Sequence, residues 1–319
     1  MDEIEGWWVI AESRDVGRAP RSVTRLGERI VLWRDERGVL HAHDARCPHR
    51  GVDLGEGRVV RGELECAYHG LRFDTSGRCV AMPCEGADAR VPPRMQIAPR
   101  VVREERGLVW MWRGPTRDAP LPWPDAMPSH DRRAWTRTMT WDVPLSRVME
   151  AMLDVHHFPF AHRRFSSGVG PRLDPWRVRE EDGVVRAEGT MREERASRGW
   201  DVALEARLPG IVFLSFAPWL GGFVACTPID AARTWIVVRF FVDVPLIGAL
   251  LARFALWTEL TLVQPDDERM QLRTLRARND LSECTLVRAD AAIVAWDRLA
   301  AKARQRATSA RSSSSATRA

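Results

Sequence analysis

Along the first third of the chain, apolar and polar positions alternate in short runs broken by turn residues. "ERIVLWR" and "VLHAHDA" flank Asp35–Gly38, "LRFD" and "RCVAMP" flank Thr75–Gly77, and "RVVREE" and "LVWMWRG" flank Arg106–Gly107. Such spacing predicts a small all-β domain over residues 1–115. Gly114–Ser129 then holds five prolines in sixteen residues, so 116–129 reads as a linker.

After the linker the pattern changes. The strand-like "AWTRTMTWDVP" leads into a helical stretch from Leu145 to His157, with Pro159 limiting its extension. Strand-like segments follow from "WRVREE" to "TWIVVRFFVDV", then helical ones around 246–260 and 285–305. Strands with segregated helices predict an α+β domain over 130–305, built on an antiparallel sheet. The end of the chain, "ATSARSSSSATRA", is low in complexity, and 306–319 is expected to be disordered.

Composition narrows the function classes. A chain of 319 residues exceeds the roughly 250–300 at which one core usually splits, in keeping with two domains. The longest apolar run, Val244–Trp257, is interrupted by Arg253 and falls short of the roughly 20 residues of a spanning helix. No membrane span is expected. The opening "MDEIEGWWVIAESRD" lacks the apolar core of a signal peptide, which points to the cytoplasm. Of 48 basic residues only Lys302 is lysine, and the arginines are scattered among 43 acids for a net charge of +5. Without a basic block or a nucleic-acid motif, no nucleic-acid partner is expected. Six cysteines do not suggest a disulfide framework in a chain of this size, but two of them stand beside histidines.

That pairing carries the chemistry. "CPHRGVDLGEGRVVRGELECAYHG" sets Cys47 and His49 two apart and Cys66 and His69 three apart, with sixteen residues between the pairs. Two thiolates and two imidazoles can complete a tetrahedral zinc site, or hold a [2Fe–2S] cluster with the cysteines on one iron and the histidines on the other. The Cys-x-His arm followed by Cys-x2-His, each with a glycine beyond it (Gly51, Gly70), resembles the Rieske motif, and Pro48, Arg50 and Tyr68 match its usual surroundings. The resemblance implies a [2Fe–2S] electron carrier, with Tyr68 packed over the cluster. Cys79 and Cys84 read as buried small hydrophobes. His41 and His43, alternating on a strand, read as structural.

A second cluster, "MLDVHHFPFAH", contains Asp154, His157 and His162 in the spacing Asp-x2-His-x4-His. Asp154 and His157 share a helical face at i, i+3, Pro159 can bend the chain to bring His162 round, and His156 points elsewhere. Coming after a Rieske motif, this spacing resembles the mononuclear iron site of the Rieske non-haem iron oxygenases. The surrounding residues are most similar to the monooxygenase branch of pheophorbide a oxygenase and the aromatic O-demethylases.

The resemblance implies an N-terminal Rieske domain and a C-terminal catalytic domain of helix-grip type, with His157 and His162 as ligands of Fe(II). Asp266 completes the set, with Asp267 the alternative in "LTLVQPDDERMQL", where Pro265 is expected at a helix start. It also implies that Asp154 bridges His157 to His69 of a neighbouring subunit in a homotrimer, with Glu150 beside the ligands. O2 is the implied cosubstrate, and an apolar or aromatic small molecule, bound among Phe158, Phe160 and Phe165, is hydroxylated, dealkylated or otherwise oxidised. No Gly-rich nucleotide fingerprint occurs in the chain, so NAD(P)H and flavin belong to a partner reductase, acting directly or through a ferredoxin. The competing function is a Rieske electron-transfer protein without oxygenase activity, which would need only the first domain.

Overall fold

The structure is a computed structural model that describes residues 4–115, 119–129, 131, 134–164, 166, 169–196 and 198–316. It divides into two compact units: Trp7–Arg113, and Gly114–Ala319 together with Met1–Gly6.

The first unit is all-β. Its strands are β1 (Gly6–Glu12), β2 (Arg21–Arg25), β3 (Glu28–Arg34), β4 (Leu40–Asp44), β5 (Arg58–Val60), β6 (Glu63–Glu65), β7 (Arg72–Phe73), β8 (Cys79–Ala81), β9 (Val102–Glu105) and β10 (Leu108–Arg113). They form three antiparallel sheets in the orders β1-β10-β9, β2-β3-β4 and β5-β6-β7-β8. Three of the hairpins close through the same two-residue device. Leu26–Gly27, Arg61–Gly62 and Arg106–Gly107 all have both φ angles between 51° and 75°. A tight turn with two left-handed residues matches the twist of the strands it joins, and glycine at its second position adopts that conformation without strain. Val31, Trp33, Leu54, Leu64, Phe73 and Ile97 build the core beneath, where Cys79 is also packed. Cys84, expected to be buried, is exposed.

His43 is enclosed in this unit at 1% exposure, and Trp33 Nε1 donates to its Nδ1 at 3.2 Å. Burial, reinforced by the nearby His41, pushes its pKa down to about 4. The unfolded chain therefore binds a proton that the folded one refuses between about pH 4 and the ordinary histidine value of about 6.5, so stability falls as pH falls through that window. At pH 5 the loss attributable to His43 is expected to be about 2 kcal/mol relative to pH 7. Urea unfolding at the two pH values checks this: His43→Gln should flatten the dependence, and an unchanged slope would assign it to other groups.

The second unit is α+β. Strands β11 (Ala134–Trp141), β12 (Arg172–Glu181), β13 (Val184–Arg192), β14 (Trp200–Arg207), β15 (Ile211–Ala217), β16 (Leu220–Pro228) and β17 (Thr234–Val242) form one antiparallel sheet in the order β11-β17-β16-β15-β14-β13-β12. Asp182–Gly183 repeats the left-handed two-residue turn between β12 and β13. Helices α1 (Leu145–Leu153), α2 (Phe158–Ala161), α3 (Gly248–Thr258), α4 (Gln264–Leu272) and α5 (Ala291–Ala316) complete the unit. α3 packs on β17 and β11, α5 on β12 and β13, and α1 on β16, α4 and α5.

Three expectations change here and a fourth is sharpened. The helix that starts at Leu145 stops at Leu153, before Asp154 and His157. Pro265 stands in the first turn of α4, as expected, but no loop precedes it: α3 runs into α4 through a π-helical stretch, Glu259–Val263. Proline removes a backbone donor, and the wider i→i+5 turn immediately before it lets the helix continue. Residues 306–316, expected to be disordered, continue α5, which includes alanine and arginine, both helix-favouring, in this stretch. Finally, the proline-rich segment straps onto its own unit. Trp123 lies 5.4 Å from Phe223 of β16, and the buried Glu205 carboxylate of β14 accepts hydrogen bonds from the Asp125 and Ala126 N–H groups.

Candidate iron–sulfur and mononuclear iron sites

The two Cys/His loops of the first unit are built alike. The Cys47 N–H donates to Val52 O and Gly51 N–H to Cys47 O. In the same way Cys66 N–H donates to Leu71 O and Gly70 N–H to Cys66 O, all four bonds at 2.8–3.0 Å. Closing each loop requires a left-handed residue, supplied by Gly51 (φ +78°) and Gly70 (φ +70°). The Cys47 and Cys66 side chains are buried neighbours, and the His49 and His69 rings, 4.5 Å apart between centroids, lie nearer the solvent. Burial and the adjacent Cys66 push the Cys47 thiol up to about 11, so it becomes a thiolate only when a cation replaces its proton. Two inner sulfurs and two outer nitrogens fit a [2Fe–2S] cluster held asymmetrically. The Tyr68 ring lies against His69, tilted by 45° with centroids 4.0 Å apart, and is more than half exposed.

The second unit assembles the other site from two distant segments. α1 ends at Asp154, whose Oδ1 accepts from the backbone N–H groups of His156 and His157 at 3.0 and 3.2 Å. This turn, rather than a helical face, sets His157 beside Asp154, with Nδ1 3.5 Å from Oδ2. α2 comes next, with Pro159 in its first turn, and delivers His162 at its end. His157 Nε2 and His162 Nε2 stand 3.2 Å apart, and Asp267 Oδ1 of α4 lies 3.2 Å from the first and 2.9 Å from the second. His156 is turned away, its Nε2 2.9 Å from the Pro171 carbonyl oxygen.

The preferred candidate Asp266 is therefore corrected: the structure brings Asp267 to the histidines. Asp266 is paired instead with Arg269 on the same helix, at 2.7 Å. A π stretch inserts an additional residue into a helical turn and rotates everything after it, which exchanges neighbours such as Asp266 and Asp267 between faces. Glu150 is also not beside the histidines; its carboxylate is held by Arg276 at 2.7 Å.

The electrostatics suit a cation. Burial works against charge on His157, but hydrogen bonds to Asp154 and Asp267 push it up to about 10. Burial likewise opposes ionisation of Asp267, and His157 and His162 nevertheless hold it below the usual carboxylate range. Three ligating atoms within 4.8 Å of one another, two imidazole nitrogens and a carboxylate oxygen, fit the two-histidine, one-carboxylate set that binds Fe(II) on one face and leaves positions open. Both imidazoles face the site through Nε2, which leaves His157 Nδ1 to Asp154, the outer partner that would orient the ring.

The site opens on a cavity of about 430 Å³. β13–β17 contribute Met191, Trp200, Val202, Leu214, Phe216 and Phe240, α3 contributes Leu251 and Phe254, and Phe158 covers the iron side. Phe160 is half exposed on the surface and does not line the cavity, and Phe165 lies outside the described residues. Glu259 and Gln264 also line it. Glu259 had a legible signal, being the only acid between Val244 and Val263.

Residues 6–98 match the Rieske [2Fe–2S] domain family. The chain is 28% identical over 275 residues to protein TIC 55, chloroplastic, of Arabidopsis thaliana, covering 78% of this chain and 49% of that protein. It is 34% identical over 179 residues to the 4β-methylsterol monooxygenase of Methylococcus capsulatus, covering 54% and 48%. The chain thus spans about half the length of these curated relatives. The crystal structure of dicamba monooxygenase bound to dicamba superposes with a TM-score of 0.73 at 23% identity, over 96% of this chain and 98% of that one. Residues 6–98 thus form a Rieske [2Fe–2S] domain, and the chain shares the fold of dicamba monooxygenase.

Proposed function

We propose that this chain is the terminal oxygenase component of a Rieske-type system, a monooxygenase that oxidises an apolar or aromatic small molecule. The observation that carries this reading is the convergence of His157, His162 and Asp267 at the end of an apolar cavity, in a chain that also has a complete Cys2His2 Rieske set. A bound Fe(II) would supply O2 activation beside the substrate, and the [2Fe–2S] cluster the electrons for it.

The chain's own residues have the remaining tasks. Cys47, His49, Cys66 and His69 hold the cluster. His157, His162 and Asp267 hold the iron and leave room for cosubstrate and substrate. The aromatic and aliphatic walls exclude water from the reacting face. Asp154 orients His157 and connects it to His69 of a neighbouring subunit in a homotrimer. NAD(P)H oxidation belongs to a separate flavin reductase, with or without a ferredoxin. Six unpaired cysteines suit a cytoplasmic location, and no described helix is long and apolar enough to cross a membrane.

Anaerobic iron and sulfide analysis tests the reading against that of a pure electron carrier. Three irons and two sulfides per chain are expected, whereas two of each would leave only the electron-transfer function.

A further inference from the structure

Outside the iron set, the polar side chains on the cavity wall are few. Thr258 is already committed, its hydroxyl donating to Phe254 O at 3.1 Å, and Trp200 Nε1 donates to Phe216 O. Glu259 and Gln264 are not satisfied in the same way. Gln264 Nε2 donates to Glu259 Oε1 at 2.7 Å, but Gln264 Oε1 is buried with no hydrogen-bond partner among the described residues. The one hydrogen bond described for the Glu259 carboxylate is that from Gln264, made by a single oxygen.

The pair thus presents spare acceptors on both residues, set beside the negative charge of Glu259, against a single remaining N–H on Gln264. A carboxyl in apolar surroundings carries a desolvation cost, visible in its pKa, which burial pushes up to about 7 although Gln264 opposes it. The π-helical stretch that begins at Glu259 brings the two residues together at i, i+5, a spacing that a regular α-helix would splay.

We infer that Glu259, oriented by Gln264, is a specificity-determining residue of the cavity, selecting neutral, mostly apolar molecules that carry a hydroxyl or N–H donor and rejecting carboxylates. A donor satisfies acceptors that are otherwise stranded in the wall. A carboxylate meets two acceptors and a like charge, so discrimination comes from repulsion as well as attraction. The inference rests on reading this cavity as the substrate site.

Calorimetric titration of the anaerobic holoprotein at pH 8 with 2-naphthol, 2-methylnaphthalene and 2-naphthoate tests it. Wild type is expected to bind 2-naphthol at least about tenfold more tightly than either of the others, the size of one charge-assisted hydrogen bond. Glu259→Gln keeps the shape and removes the charge, and should tighten 2-naphthoate relative to 2-naphthol by a similar factor. A wild-type preference for 2-naphthoate, or a ratio unchanged in Glu259→Gln, would overturn the inference. A three-iron protein without the preference overturns it and leaves the oxygenase reading standing. A two-iron protein that keeps the preference supports it and overturns the oxygenase reading.

Discussion

Asp267→Ala is expected to purify with two irons and two sulfides per chain, its cluster absorbance intact and its mononuclear iron gone. Asp267 Oδ1 is within 3.2 Å of both histidine Nε2 atoms, and removing it leaves two neutral ligands for a divalent ion. Turnover should fall by more than the roughly 10–100-fold typical of losing an outer-shell partner of a metal site. Asp266→Ala is the matched control. It breaks only a partly exposed pair with Arg269, worth under about 1 kcal/mol, and should keep three irons. His156→Ala should also keep them, since its ring is held at the Pro171 carbonyl. Iron retained in Asp267→Ala and lost in Asp266→Ala would show that the helix after the π stretch presents the opposite face to the histidines.

Asp154→Asn is expected to leave both metal centres filled and to slow the passage of electrons between them. Asparagine keeps an oxygen for the His156 and His157 N–H groups, so the turn that ends α1 should survive. What it loses is the charge that raises the basicity of His157 and that, in the proposed homotrimer, would connect that ring to the cluster of the next subunit. Turnover with a reductase should drop about 10–100-fold at least, with three irons per chain and normal chemical reduction of the cluster. Stopped-flow reoxidation of pre-reduced protein with O2 and substrate reads the step directly. An unchanged rate would remove Asp154 from the electron path and leave it a local turn-former. A loss of mononuclear iron would instead make it a support for His157.

Much of this was legible along the chain because it is built from neighbours. The Rieske loops need Cys, His and Gly within a few residues, and their bonds close within each loop, so the spacing alone points to the arrangement. The hairpin turns are equally local, since an X-Gly pair between alternating runs carries its own geometry. Helix ends were harder. The spacing Asp154–His157 looks like one helical face, yet the Asp154 carboxylate captures the next two N–H groups and ends the helix there.

Long-range pairings were harder still. No periodicity reveals that Glu150 belongs to Arg276, or that the proline-rich strap is pinned by Glu205, because those partners are decided by how the sheet and helices pack.

Two adjacent aspartates mark the boundary. That a carboxylate near residue 266 completes the set with His157 and His162 is what the resemblance to the Rieske oxygenases implies. Which one does so depends on helical phase, and the phase is set by a π stretch that Pro265 makes favourable, joining α4 to an α3 held by packing on β17 and β11. The same stretch puts Glu259 and Gln264 together on the cavity wall. Ligand identity at the iron and the polar end of the pocket therefore share one cause, a local widening of a helix, which arises from backbone geometry and packing rather than from residue spacing.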